Sequence, residues 1–190
     1  ARGGRGVRVI PTQLPEVLCI ETRRFDDSRG YFKETWQLSR YESAGLPSVF
    51  VQDNLSVSKK HVLRGLHLQV APSPQGKLVS AYRGSILDIA VDVRIGSPTF
   101  GKWVVEELSE ANGRQLWVPF GFAHGFLSLE DGSLVSYKCT APYDPSAEIG
   151  LSVHDPAFGL KLPVSEFLMS DKDRDAPNHG HFYARLPKYQ

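Results

Sequence analysis

The chain has 190 residues, 41% hydrophobic and 23% charged, with 22 Lys plus Arg against 21 Asp plus Glu for a net charge of +1. That length suits one domain, and that apolar fraction is enough to bury a core and to exclude disorder over most of the chain. The balanced charge excludes a coat for nucleic acid, no apolar run approaches the ~20 residues that span a bilayer, and Ala1 to Arg8 lacks the apolar stretch of a secretory signal, so the expectation is a cytoplasmic protein without nucleic-acid or membrane partners.

Thirteen Pro and 17 Gly are scattered along the chain, so the elements between them must be short, as in an all-β sandwich or barrel. Strands are expected over 17–21 and 50–58, separated by a short helix that Ser39-Arg40-Tyr41-Glu42 opens as a capping box and Gly45 and Pro47 close. Further strands are expected over 78–83, 86–94, 102–108, 115–118, 125–129 and 134–140. The 86–94 segment is the clearest, with Leu87, Ile89, Val91 and Val93 on one face and Asp88, Ala90, Asp92 and Arg94 on the other. Arg83-Gly84-Ser85 and Glu130-Asp131-Gly132-Ser133 read as tight turns, and Gly96-Ser97-Pro98 ends the strand before it, since Pro cannot donate to a central ladder. Ser170-Asp171-Lys172-Asp173 opens a short helix that Pro177 and Gly180 close, and 178–190 has no periodicity and reads as a C-terminal tail. No repeat or linker divides the chain. The expectation is one β-sandwich or jelly-roll domain over 1–177 with short helices at its ends. Cys19 and Cys139, 120 positions apart, form no CxxC pair and read as two reduced, buried thiols, with a disulfide as the alternative.

Chemistry concentrates in a few places. Arg64-Gly65-Leu66-His67-Leu68-Gln69 is followed by Gln75-Gly76-Lys77. In a regular strand Gly65, His67 and Gln69 share one face, and Arg64, Leu66 and Leu68 the other. A His near a Lys is a candidate base beside a cationic stabiliser, although a His standing alone is more often a structural or surface residue. A phosphate-loop reading of Gln75-Gly76-Lys77 fails, because the upstream Gly is replaced by Ala71 and no helix follows. His124 sits among aromatics and glycines in Trp117 to Phe126, a pattern that also describes core plus turn. Tyr137-Lys138-Cys139-Thr140, Tyr143 and Glu148 form a third group, where a strand Tyr is commonly a packing residue. Phe25-Asp26-Asp27-Ser28-Arg29-Gly30-Tyr31-Phe32 and Gln52-Asp53-Asn54 read as loops or turns with solvated charges. A cupin-type metal set is disfavoured, since Gln69 stands where the second imidazole of a His-x-His set would be, and the one close pair, His179-Gly180-His181, lacks carboxylates nearby.

Taken in order, these clusters resemble the dTDP-4-dehydrorhamnose 3,5-epimerase family from about Val17 to about Pro177. The carriers are the 25–34 segment, Gln52-Asp53-Asn54, Arg64-Gly65-Leu66-His67, Gln75-Gly76-Lys77-Leu78-Val79, Val91-Asp92-Val93-Arg94 with Ser97-Pro98-Thr99-Phe100-Gly101, Pro119 through Phe126, Tyr137-Lys138-Cys139-Thr140, Tyr143 and Lys172-Asp173. The resemblance implies an all-β, cupin-like jelly-roll barrel without metal or organic cofactor. It also implies a homodimer whose N-terminal segment completes the partner's site, and a nucleotide-diphosphate-sugar substrate, a 4-keto-6-deoxyhexose inverted at carbons 3 and 5. By resemblance His67 is the base, Asp173 its orienting partner, Tyr137 the opposite-face proton donor and Lys77 the stabiliser of the enolate oxygen. Substrate-binding positions would be Phe25, Arg29, Glu34, Gln52, Asn54, Arg64, His124, Tyr143, Glu148 and Lys172, with Tyr143 stacking on the base. The chain departs from the family pattern at Leu68, Phe120, Val153-His154-Asp155-Pro156 and Leu162-Pro163, none of them a catalytic position. Three rivals stand beside this reading: an epimerase that inverts only carbon 3 or only carbon 5, a non-catalytic nucleotide-sugar-binding barrel, and a metal-dependent cupin oxygenase. The retained His67, Tyr137, Lys77 and Asp173 count against the second, and Gln69 against the third.

Overall fold

Two antiparallel sheets face each other and close into a jelly roll in the computed structural model, which describes residues 6–190. The first five residues, part of the stretch read for a secretory signal, lie outside the described residues. The strands are β1 (Val7–Pro11), β2 (Leu18–Thr22), β3 (Arg24–Asp27), β4 (Gly30–Lys33), β5 (Gln52–Ser58), β6 (Leu63–Gln69), β7 (Lys77–Arg83), β8 (Ser85–Asp92), β9 (Trp103–Ser109), β10 (Arg114–Val118), β11 (Phe122–Ser128), β12 (Ser133–Cys139) and β13 (Glu148–Gly150). One sheet runs β1-β2-β10-β7-β12-β5, the other β13-β6-β11-β8-β9, and β3-β4 form a separate hairpin. Two short helices, α1 (Leu38–Ser43) and α2 (Asp171–Arg174), flank the barrel. No helix among the described residues is long and apolar enough to cross a membrane.

Apolar side chains form three layers. Between the sheets lie Val79, Ala81, Ile86, Ala90, Leu116, Phe126 and Val135. The outer face of the five-stranded sheet, including Ile89, Val91 and Val93 of β8, is covered by Leu151, Val153, Phe158 and Leu186. The outer face of the six-stranded sheet packs Ile20, Leu78 and Trp117 on Tyr41 of α1 and on Leu46. The apolar face of β8 therefore looks away from the barrel interior, and Asp88 and Asp92, both fully buried, look into it. Alternation along β8 follows the sequence pattern, but both faces are covered, so its aspartates are not solvated.

Several sequence expectations change. The 25–32 segment, read as loop, is the β3-β4 hairpin, with Phe25 opposite Phe32, and Gln52-Asp53-Asn54 is the start of β5, paired with β12. The helix at 38–43 is capped by Gln37, whose side-chain oxygen accepts from Arg40 N–H at 2.9 Å, while Ser39 lies inside the helix and donates to that same oxygen. At α2 the expected cap holds: Ser170 Oγ accepts from Asp173 N–H at 3.2 Å. Residues 178–190, read as a tail, lie on the barrel: Tyr189 N–H donates to Ile95 O at 2.9 Å, and Leu186 is buried in the outer layer. His179, of the pair considered for metal, holds buried Asp155 through its backbone N–H at 2.6 Å and its Nδ1 at 2.7 Å. Cys19 and Cys139 are free and buried, and burial pushes the Cys19 thiol up to about 11.

Candidate active site

The sharpest departure from simple alternation is in β6. Arg64 lies opposite Phe126 and His67 opposite His124, so β6 spends three steps where β11 spends two. This bulge reverses the parity of the strand. Leu63, Leu66 and Leu68 pack in the outer layer, while Arg64 joins His67 at the barrel interior, contrary to the face expected for it. Gly65 makes the bulge possible: its φ is +114°, and a Cβ there would meet Gly125 Cα and His124 O at 2.7 Å.

The interior opens into a cleft of about 360 Å³, lined by Ser56, Arg64, His67, Lys77, His124, Phe126, Tyr137, Tyr143, Glu148, Ser170, Lys172 and Asp173. A second hollow of about 430 Å³, between Leu14, Phe100, Trp103 and Phe158, has Lys102 as its only titratable lining side chain, so the acid–base groups belong to the smaller one. Nine of the fourteen site residues expected from sequence line the cleft, and Gln52 and Asn54 line an adjoining recess with Tyr137 and Tyr143. Phe25, Arg29 and Glu34 line neither: Phe25 is on β3, Arg29 in the hairpin turn bonded to Asp27, and Glu34 beside α1 paired with Arg40.

His67 Nε2 lies 2.6 Å from Asp173 Oδ1, and Asp173 Oδ2 accepts from Gly65 N–H at 3.1 Å. Burial alone would raise the Asp173 carboxyl. The hydrogen bond and charge of His67, together with Gly65 N–H and Ser170, outweigh it and hold Asp173 below the usual carboxylate range. An ionised Asp173 only accepts, so His67 Nε2 donates to it. Across the interior, burial pushes the Tyr137 phenol up, and it stays protonated at neutral pH. Lys77 Nζ sits 5.8 Å from the Tyr137 ring centroid, and burial lowers its pKa against the pull of Cys139, Glu148 and Asp88. At the mouth, Glu148 accepts from Tyr143 OH at 3.1 Å and from Lys172 Nζ, and the 54% exposed Tyr143 ring stands at the rim. Arg64 donates to Ser58 Oγ at 3.1 Å. Gln69 has its amide occupied by Ser73 O, Pro142 O and Asp144 N–H, a structural role in place of a ligand's.

Sequence reasoning missed Asp88. It lies on the neighbouring strand, fully buried, with Oδ1 2.7 Å from His124 Nε2 and Oδ2 without a partner. Burial pushes its carboxyl up, against the pull of His124 and Lys77. The available signal was an Asp at the centre of the most apolar strand. Ser56, Phe126 and Ser170 were also missed, each an ordinary strand or capping residue in sequence.

A jelly roll whose interior brings a His–Asp pair, a Tyr and a Lys to one cleft, with cationic side chains at the mouth, combines the groups that acid–base chemistry uses with cations suited to an anionic ligand. A family model for dTDP-4-dehydrorhamnose 3,5-epimerase matches residues 11–180. The enzyme of that name from Sinorhizobium fredii is 47% identical over 167 residues, covering 87% of this chain and 86% of the relative. The crystal structure of dTDP-6-deoxy-D-glucose-3,5-epimerase from Legionella pneumophila, in complex with dTDP-4-keto-L-rhamnose, superimposes with a TM-score of 0.93 at 45% identity, covering 97% of this chain and 99% of that one. A 3'-monoepimerase from Streptomyces bikiniensis, in complex with dTDP-quinovose, superimposes with a TM-score of 0.88 at 33% identity, covering 95% and 93% of the two chains. The chain belongs to the dTDP-4-dehydrorhamnose 3,5-epimerase family and is an isomerase of the epimerase class.

Proposed function

We propose that the enzyme inverts carbons 3 and 5 of a dTDP-4-keto-6-deoxyhexose, converting dTDP-4-dehydro-6-deoxyglucose to dTDP-4-dehydrorhamnose. The observation that carries this reading is the His67–Asp173 pair sharing one cleft with Tyr137 and Lys77. The ketone at carbon 4 acidifies the C–H bonds on both sides of it. His67 Nδ1 takes a proton from one of those carbons, and the C–H electrons move onto the carbonyl oxygen as an enolate. Lys77 donates a hydrogen bond to that oxygen; its lowered pKa makes it a better match for an enolate than a solvated ammonium. Tyr137 then gives its proton to the opposite face, and the phenolate and imidazolium return to their starting states through solvent. Repeating the cycle at the second carbon completes the double inversion. The chemistry needs no metal or organic cofactor, since the substrate's own ketone supplies the electron sink, so turnover should survive exhaustive chelation.

Arg64, His124 and Lys172 line the cleft where a diphosphate sugar would lie, and forked or point-charge donors suit it. Phe25, Arg29 and Glu34, which lie apart from their own chain's cleft, fit a homodimer in which the N-terminal segment reaches the partner's site. Mixing inactive His67→Ala with inactive Arg29→Ala protomers should then restore part of the activity, and additive loss would oppose the shared site. The deciding experiment for the reaction is incubation with dTDP-4-keto-6-deoxyglucose in deuterated water. Deuterium and inversion at both carbons are expected. Label and inversion at one carbon alone would make the enzyme a monoepimerase, like the Streptomyces bikiniensis relative.

A further inference from the structure

The β3-β4 hairpin forms a sheet of its own, with four residues in each strand. A two-stranded ribbon that short is marginal in water without support. Paired residues share a face, so Arg24, Asp26, Tyr31 and Lys33 lie on one side and Phe25, Asp27 and Phe32 on the other. The two sides have different surroundings. Phe32, on the second, is 66% exposed. The first leans on the turn between β9 and β10, residues 110–113: Lys33 Nζ donates to Gly113 O, and Tyr31 OH donates to Glu110 Oε1 at 3.3 Å. The Arg24 guanidinium lies 4.4 Å from the Tyr31 ring centroid and donates to Asp26 Oδ1 at 2.7 Å, tying the two strands together on that side.

The turn is a stiff support. Asn112 Oδ1 accepts from Ser109 N–H at 3.1 Å and from Arg114 N–H at 2.9 Å, and its Nδ2 donates to Glu107 O at 2.8 Å. Gly113 is buried, and a Cβ there would come within 2.8 Å of Lys33 Nζ, so the ammonium sits directly on the backbone of the turn. Burial and the neighbouring Arg24 lower the Lys33 pKa. A half-buried cation beside a second cation is unfavourable in itself, and the carbonyl of Gly113 offsets that cost.

We propose that Lys33 is a positioning residue: its bond to Gly113 O fixes the angle of the hairpin on its own barrel, and with it the presentation of Phe25 and Arg29 to the partner's cleft. The assignment rests on the shared-site reading and adds to it the contact, inside the donating chain, that aims the segment. Neither Lys33 nor the 110–113 turn lines the cleft or its adjoining recess. The reacting groups are therefore untouched by a change at Lys33, and its effect falls on ligand binding.

The test is steady-state turnover of the ketosugar and equilibrium binding of dTDP by wild type and Lys33→Met, with thermal unfolding of each, and turnover by Lys33→Met dimers mixed with excess His67→Ala protomers. Lys33→Met should raise KM and the Kd for dTDP about three- to tenfold, the worth of one hydrogen bond, with kcat within about twofold of wild type and Tm unchanged. In the mixed dimers the live site belongs to the Lys33→Met chain and receives an intact hairpin from the His67→Ala chain, so KM should return to the wild-type value. A Lys33→Met protein with unchanged KM would overturn the proposal, as would a raised KM that the mixed partner does not correct. A fall in kcat beyond twofold would overturn it too, and so would early unfolding, which would make the bond part of barrel stability. Mixing Arg29→Ala with His67→Ala tests the underlying reading by itself. Failure to complement there removes the shared site, whereas complementation there with no effect of Lys33→Met removes only the tether.

Discussion

Two histidine–carboxylate pairs face the same cleft and are built in different ways. His124 is held by Asp88 from the adjacent strand β8, with side-chain exposures of 8% and 0%, and the pair belongs to the barrel wall. His67 is held by Asp173, 106 positions away on α2, with exposures of 27% and 8%. The carboxyls also shift in opposite directions: Asp88 up through burial, Asp173 down because hydrogen bonds and the His67 charge outweigh burial. A wall-embedded pair orients a ring. A pair open to the cleft, with an ionised partner holding Nε2, leaves the rest of the ring at the cleft, where the proposed function uses it. On the proposed function, the same two residue types serve a fixed binding wall in one pair and proton transfer in the other, according to where the carboxylate comes from and how much water reaches it.

The comparison breaks most visibly if His67 is removed. His67→Ala should lower kcat by about 10²–10⁴, the worth of a positioned base, and should also stop deuterium exchange at both carbons; exchange at a near wild-type rate would reassign the base. Tyr137→Phe sharpens the assignment by separating two steps. Inverted product should fall by about 10²-fold or more for loss of the proton donor, while exchange with solvent continues through His67. Full inversion by this variant would end the donor role. Asp173→Asn should cost less than His67→Ala: losing one charge-assisted hydrogen bond of about 1.5–3 kcal/mol corresponds to roughly a 10- to 150-fold drop in kcat/KM.

Stability should order the two pairs the other way. Asp88→Ala leaves a buried ring N–H unpaired and should cost about 1–3 kcal/mol in denaturant unfolding. Asp173→Ala should cost less, since water can reach the more exposed His67. The smallest effect is in the pH dependence. Asp173, with its folded pKa depressed, contributes stability that is complete above the ordinary Asp value of 3.8 and is lost as pH falls through its folded value. Asp88, with its folded pKa raised, does the reverse and favours the folded state as pH falls from that raised value toward 3.8. Acid titration of stability should therefore be flatter than wild type in Asp173→Asn and steeper in Asp88→Asn. Identical slopes would mean that the two carboxyls titrate alike.

Much of this was legible in sequence, and the failures have physical causes. Short strands between Gly and Pro, the cap at Ser170 and the alternation of 86–94 are local properties and read correctly. The β3-β4 hairpin was hidden because its charges look solvated and its strands are only four residues each. The place of Asp88 in the barrel interior is not legible, because alternation says which residues share a face and not which face the barrel encloses. Most cleft residues were found through resemblance; by spacing alone His67 and Asp173 are unrelated, and only the packing of α2 against β6 brings them together. Arg64 was put on the wrong face because a period of two does not survive a bulge.

That bulge also does something that no side chain does. In a regular strand pair each inward or outward position spends its amide on a neighbour, but the extra residue in β6 leaves Gly65 N–H free to hold Asp173. A β6 shortened by that one residue would keep Arg64 and His67 facing the cleft and lose the amide that anchors the carboxylate. The enzyme therefore carries a working group that alanine scanning passes over, because replacing side chains never removes a backbone N–H. An ester in place of the Arg64–Gly65 amide, introduced by chemical synthesis, is the kind of edit that would expose it.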